Sequence, residues 1–156
     1  MTESDKTDPV HGTEVQLQQL YQEVILDHYR SPRNKGVIKG YTHDIILNNP
    51  LCGDVVEVQL TVRDGRITDA GFEGHGCSIS QASASMMTEL LKGRPVEDAL
   101  ALDETFTRML HGDKEAAEDE ELGDLRALAG VSKFPVRIKC ALLAWNCLEE
   151  LLGSGS

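Results

Sequence analysis

The fold is indicated most clearly by residues 56–65, which read VEVQLTVRDG. Apolar and polar side chains alternate strictly from Val56 to Arg63, which is typical of a strand with one buried face in an antiparallel sheet. Asp64-Gly65 follows at once, and this dipeptide suits the two-residue turn whose twist matches the flanking strands. Residues 67–73 are therefore predicted to return as the second strand of a hairpin, with a β-bulge where Asp69-Ala70 interrupts the alternation.

One further strand and several helices complete the predicted architecture. Residues 43–47 predict a strand before the hairpin. Helices are predicted over residues 15–30, 80–92, 95–100 and 135–152, and Asp103 is predicted to cap another that follows it. The predicted fold class is α+β, with a small antiparallel three-stranded sheet packed against several helices and a long C-terminal helix.

The length of 156 residues suits one domain that can bury a core without disulfides. We expect a flexible tail over residues 1–14, a single domain over residues 15–152 and a flexible tail over residues 153–156. The sequence shows no apolar run of signal-peptide or membrane-spanning length, which predicts a cytoplasmic protein.

The chain is acidic, with 26 Asp and Glu residues against 15 Lys and Arg residues and a formal net charge of -11. Nucleic-acid binding requires a clustered basic surface that neutralises phosphates. The composition therefore argues against nucleic acid as a partner, and the lack of an apolar anchor argues against a membrane.

The four cysteines are the residues most indicative of chemistry. In a reducing compartment, cysteines bind metal or react more often than they cross-link. Cys52 and Asp54 flank Gly53 at the start of the middle strand, so both side chains can point to one side. Cys77 follows the last strand, and because the two ends of a hairpin lie side by side, we expect Cys52, Asp54 and Cys77 to converge.

Spacing alone leaves two interpretations of the cysteines open. Three thiolates, from Cys52, Cys77 and Cys140, together with the Asp54 carboxylate would suit a tetrahedral zinc ion. The intervals between them match no local metal motif, however, and scattered cysteines are also typical of small buried apolar residues. Cys147 is assigned to the core in either case.

Four motifs, in this order along the chain, resemble the U-type iron–sulfur cluster assembly proteins, the family of IscU, SufU and the N-terminal domain of NifU. They are DHYRSPRN (27–34), NPLCGD (49–54), GHGCSIS (74–80) and RIKC (137–140). The resemblance covers about residues 17–152. It is closest to the SufU branch, because Lys139 stands where IscU-like members carry a histidine, and because a longer segment precedes the last helix.

This resemblance implies zinc bound by Cys52, Asp54, Cys77 and Cys140. It also implies a sulfurtransferase role in iron–sulfur cluster biogenesis, in which persulfide sulfur is taken from a cysteine desulfurase of the SufS type, with downstream cluster assembly proteins as further partners. One alternative is a scaffold on which the same cysteines hold an iron–sulfur cluster. Another is a structural zinc protein without chemistry.

Individual roles follow within this interpretation. Cys52 is predicted to accept the sulfur, because the adjacent Gly53 permits movement that a helical Cys140 would resist. Arg137 lies three residues before Cys140, hence on the same helix face, and is predicted to offset the negative charge of the ligands. The alternative for Arg137 is an ordinary surface arginine. His28 and Tyr29 are predicted at a partner surface, unless Tyr29 anchors the first helix to the sheet.

Overall fold

A computed structural model of the chain describes residues 21–153. Its first helix, α1, covers residues 21–30 of the described part. The predicted start of this helix at residue 15 and the predicted tails lie outside the described residues, apart from Gly153.

The three predicted strands form one antiparallel sheet in the order β1-β2-β3. The strands are β1 (His43–Asn49), β2 (Asp54–Arg63) and β3 (Arg66–His75). Asp64 and Gly65 form the predicted turn, with φ values of 53° and 76° that few residues other than Gly, Asn and Asp adopt. The bulge lies at Thr68, one residue before its predicted position, since Asp69 pairs with Thr61 and Ile67 with Val62.

Helical segments follow the sheet over most of residues 78–153. They are α2 (Ser78–Leu91), α3 (Val96–Leu110), α4 (Lys114–Ala117), a 3-10 segment (Glu120–Lys133), α5 (Pro135–Leu148) and a π-helical turn (Glu149–Gly153). The 3-10 segment is kinked at Gly123, where φ is 53°. The α+β class is therefore confirmed. Within residues 21–153, no helix has both the length and the apolar character needed to cross a bilayer.

Two predicted helix boundaries are wrong. The helices predicted over residues 95–100 and after Asp103 are a single helix, α3. Asp103 is only 4% exposed, and its carboxyl accepts a hydrogen bond from Thr107 instead of capping a helix. The pKa of Asp103 is raised from 3.8 to about 8. Burial is the largest cause, and a hydrogen bond with Glu149 is the second. A protonated carboxyl can be buried at this position of α3, whereas an ionised carboxylate would be costly to bury there. The last helix ends at Leu148, and its predicted final turn is π-helical.

The raised pKa of Asp103 predicts how stability depends on pH. The folded protein retains this proton up to about pH 8, whereas the unfolded chain loses it near 3.8. Its contribution to stability is thus complete below the unfolded value and is lost as the pH rises through 8. Asp103→Asn cannot ionise, so at pH 9 its free energy of unfolding should exceed that of the wild type by about 1–2 kcal/mol.

Urea unfolding at pH 5, 7 and 9 measures this difference. Glu97→Gln is the control, because Glu97 is an exposed acidic residue of α3 that is not among the groups that shift the pKa of Asp103. An Asp103→Asn variant whose stability declines between pH 5 and pH 9 as steeply as that of the wild type would contradict the prediction.

Packing against the sheet positions the cysteines. Val56, Val58, Leu60 and Phe72 are completely buried, and helices α2 and α5 contact both the sheet and each other. Deeper in the core, Trp145 of α5 packs against Phe106 of α3, with ring centroids 5.2 Å apart. The start of α2 therefore lies at the end of β3, and α5 passes over β1 and β2.

Candidate metal centre

A tight turn between β1 and β2 carries Cys52. The backbone N–H groups of Cys52 and Gly53 donate to the Asn49 carbonyl at 3.2 and 2.8 Å, and the Asn49 side chain accepts from the N–H of Leu51 at 3.2 Å. Gly53 has a φ of 72°, which favours glycine. This turn leaves the thiol of Cys52 half-buried at the rim of the sheet.

Asp54, the first residue of β2, is completely buried and connects the turn to helix α2. Its Oδ1 accepts the backbone N–H of Cys77 at 2.9 Å, and its Oδ2 lies 3.8 Å from the Cys77 Sγ. Cys77 is the residue directly before the first turn of α2. A helix N-terminus favours negative charge, so both the carboxylate and a Cys77 thiolate are well placed there.

Helix α5 contributes Cys140. Its Sγ lies 3.0 Å from the Sγ of Cys52, and its side chain is only 2% exposed. The Asn49 side-chain amide is 4.0 Å from the same sulfur. The ligand atoms of Cys52, Asp54 and Cys140 all lie within 4.8 Å of one another. Residues 88 positions apart in the chain thus meet at one end of the sheet.

The other predicted site residues lie around this group. Cys77 contacts Asp54 but is not one of the three residues grouped within 4.8 Å. Arg137 is exposed one helical turn before Cys140 and lines a cavity of about 440 Å³ together with Ile25, Ile79 and Phe134. Cys147 is buried in the core as predicted, and burial raises the pKa of its thiol to about 12.

The charge state of Cys140 depends on whether a positive charge lies near its sulfur. Burial raises the pKa of Cys140 well above its ordinary value, and hydrogen bonding with Cys52 and Asp54 raises it further. A thiolate in this position is therefore costly unless a positive charge is nearby. Zinc accepts both sulfur and carboxylate oxygen, and a thiol that coordinates it is deprotonated. The donor atoms of the site fit that ion.

Two supporting residues were missed by the sequence reasoning. Gly76 has a φ of 153°, and a Cβ added there would lie 2.2 Å from Asp54 Oδ1. The Asn49 side chain reaches both the turn and the Cys140 sulfur. The sequence GHGC at residues 74–77 could have indicated this role, because glycines at the end of a strand often mark a close approach of the backbone to another group.

The prediction that His28 lies at a partner surface is wrong. Its ring is completely buried, with Nδ1 2.8 Å from Ser85 Oγ and Nε2 2.8 Å from Asp124 Oδ2. These partners could not be predicted from the local sequence, because they are 57 and 96 residues away. Tyr29, in contrast, is 45% exposed.

Comparison with known proteins agrees with the fold. The NifU-like N-terminal domain model matches residues 20–141. The zinc-dependent sulfurtransferase SufU of Bacillus subtilis is 50% identical over 134 residues, covering 86% of this chain and 90% of that protein. The iron–sulfur cluster assembly scaffold protein IscU of Streptococcus pyogenes is 45% identical over 136 residues, covering 87% and 84% of the two chains.

A solved structure shows the same architecture. The N-terminal part of a nitrogen-fixing NifU-like protein from Brucella abortus superposes with a TM-score of 0.76 at 25% identity, covering 85% of this chain and 92% of that one. The three-stranded sheet and its helices thus occur in a recognised class of domain. The chain belongs to the NifU-like N-terminal domain family, which includes the IscU and SufU proteins.

Proposed function

We propose that this protein is a zinc-dependent sulfur acceptor in iron–sulfur cluster biogenesis, which takes persulfide sulfur from a cysteine desulfurase of the SufS type. Family membership supports the broader role in cluster assembly, since the relatives carry names of that kind. The finer role is supported by one observation above all. A half-buried thiol on a glycine-containing turn, Cys52, lies 3.0 Å from a buried helical thiol, Cys140.

Cys52, Asp54, Cys77 and Cys140 would hold the zinc ion. When bound, zinc supplies positive charge that keeps thiols deprotonated at neutral pH. The protein supplies the arrangement around it: Asp54 is fixed by the N–H of Cys77, and Cys140 is fixed by α5. Arg137, on the exposed surface one turn before Cys140, would offset the remaining negative charge.

The transfer step that we propose is a thiol–persulfide exchange. The Cys52 thiolate attacks the outer sulfur of the persulfide on the desulfurase. A new S–S bond forms between Cys52 and that sulfur, the S–S bond of the donor breaks, and the donor cysteine leaves as a thiolate. Neither an oxidant nor a reductant is consumed. Cys52 suits this role because its turn is half-exposed and bounded by Gly53, whereas Cys140 is buried in a helix.

Sulfur acceptance from a SufS-type desulfurase tests this assignment. With ³⁵S-cysteine as the source, Cys52→Ala should take up at least about tenfold less label than the zinc-loaded wild type, because the nucleophile is missing. Peptide mapping should locate the persulfide of the wild type on Cys52. Cys147→Ala is the matched control, since Cys147 lies in the core away from the site. Label on Cys77 or Cys140, or undiminished uptake by Cys52→Ala, would overturn the assignment.

A cluster scaffold is the second candidate, favoured by the IscU-named relatives and by the same group of sulfurs. Metal analysis and desulfurase kinetics distinguish the two roles. One zinc per chain, no visible absorption and faster alanine production by the desulfurase would support the sulfur acceptor. Iron and sulfide with visible absorption would support the scaffold.

A further inference from the structure

A second group of ligand-type side chains lies towards the other end of α2 from Cys77. It consists of His28 in α1, Glu89 in the last turn of α2 and Asp124 directly after the kink of the 3-10 segment. Their ligand atoms all lie within 4.8 Å of one another. Glu89 follows Cys77 by twelve residues, which places about 18 Å of helix between them. The group is therefore separate from the thiol site.

His28 is fixed in an orientation suited to a metal ligand. Its side chain is 1% exposed, and its Nε2 is directed at the Asp124 carboxylate at 2.8 Å. Its Nδ1 lies 2.8 Å from the Ser85 hydroxyl, which also accepts the backbone N–H of Arg33 at 2.8 Å. A histidine that binds metal through one nitrogen is usually held by a hydrogen bond at the other. Ser85 can accept that bond when Nδ1 carries the proton.

The group of His28, Glu89 and Asp124 contains more negative than positive charge. The guanidinium of Arg33 donates to Asp27 at 2.7 Å and to the Ser31 carbonyl. Its pKa is raised first by Asp27, with smaller effects from Glu89 and Asp124. Within residues 21–153, Glu89 forms no ion pair with a basic side chain. Two carboxylates therefore face one imidazole in a chain of net charge -11.

We propose that His28 Nε2, Glu89 and Asp124 bind a divalent first-row transition ion of the Mn²⁺, Fe²⁺ or Zn²⁺ type. One imidazole with two carboxylates matches the ligand preference of these ions, whereas softer ions favour the thiols at the other end of α2. The ion would connect α1, α2 and the 3-10 segment, which are distant in sequence. On binding, the His28 proton lies on Nδ1 and is donated to Ser85, so that Nε2 is free to coordinate.

Manganese titration of protein loaded with only one zinc ion per chain tests the proposal, because no excess zinc is then present to compete for the second group. Mn²⁺ prefers oxygen and nitrogen ligands, so it leaves the thiol site to zinc, and the electron paramagnetic resonance signal of free Mn²⁺ reports binding. The wild type should bind one Mn²⁺ per chain. Glu89→Gln and Asp124→Asn should each weaken binding by at least about tenfold, because each removes one ligand charge. Glu97→Gln, an exposed acidic position in α3, is the matched control and should bind as the wild type does.

Thermal unfolding provides a second measurement. Mn²⁺ should raise the Tm of the wild type and of Glu97→Gln but not that of Glu89→Gln. Glu89 and Asp124 are exposed, so both variants should fold, and circular dichroism verifies this. The proposal is overturned if the wild type binds no Mn²⁺, or if Glu89→Gln binds it as tightly as the wild type. It is also overturned if Glu97→Gln loses binding equally, since general attraction to an acidic surface would then explain the result.

Discussion

Replacing Asp54 with alanine should lower zinc affinity by at least about a hundredfold, because this carboxylate has two functions in the site. It is a proposed zinc ligand, and it also accepts the backbone N–H of Cys77 at 2.9 Å in a completely buried position. Leaving that N–H unpaired costs about 1–3 kcal/mol in addition to the lost ligand. Asp54→Ala should therefore remove one oxygen ligand of the zinc ion and also release Cys77 from its fixed position.

Competition for zinc with a chromophoric chelator measures this loss, and sulfur acceptance should decline with it. Asp54→Asn separates the two functions, since an amide oxygen still accepts the Cys77 N–H but carries no charge. Asp44→Ala is the matched control, because Asp44 is an exposed aspartate of the neighbouring strand. If Asp54→Ala bound zinc as tightly as Asp44→Ala, the carboxylate would not be a ligand.

Gly76→Ala should have the second large effect, a loss of stability caused by a steric contact and an unfavourable backbone conformation. The added Cβ would lie 2.2 Å from Asp54 Oδ1 and 2.9 Å from Ser80 Oγ, and the φ of 153° is unfavourable for alanine. Asp54 cannot move away without breaking its hydrogen bond to Cys77. We expect the free energy of unfolding to fall by about 2–4 kcal/mol, the range for a strained backbone combined with overpacking.

Urea unfolding and zinc content measure the consequences of this substitution. Gly40→Ala is a control for backbone strain, since Gly40 also has a positive φ, of 68°, but an added Cβ would meet nothing within 4 Å. Gly40→Ala should lose less stability than Gly76→Ala and should retain its zinc. Equal losses in the two variants would mean that the contact with Asp54 does not matter.

Local chemistry allowed the sheet to be predicted. Strict alternation over residues 56–63 and the Asp64-Gly65 turn specified a hairpin, and a hairpin brings its two ends together. Cys52 and Cys77 could therefore be placed near Asp54 without knowledge of the helices. The participation of Cys140 was different, because only the family resemblance favoured a role as a ligand over burial as a small apolar residue.

Features that depend on distant partners could not be predicted in this way. Asp103 was predicted to cap a helix, but it is buried within α3. His28 resembled a surface residue until Ser85 and Asp124 were found at its two nitrogens.

The sequence by itself determined the three strands, their turn and the placement of Cys52 and Cys77 beside Asp54, because strand alternation and turn geometry act over a few residues. Only the tertiary structure decided that Cys140 reaches Cys52 and that His28 faces Glu89 and Asp124. Those contacts depend on how α5 packs on the sheet and how α1 packs on α2, and packing is set by the whole core.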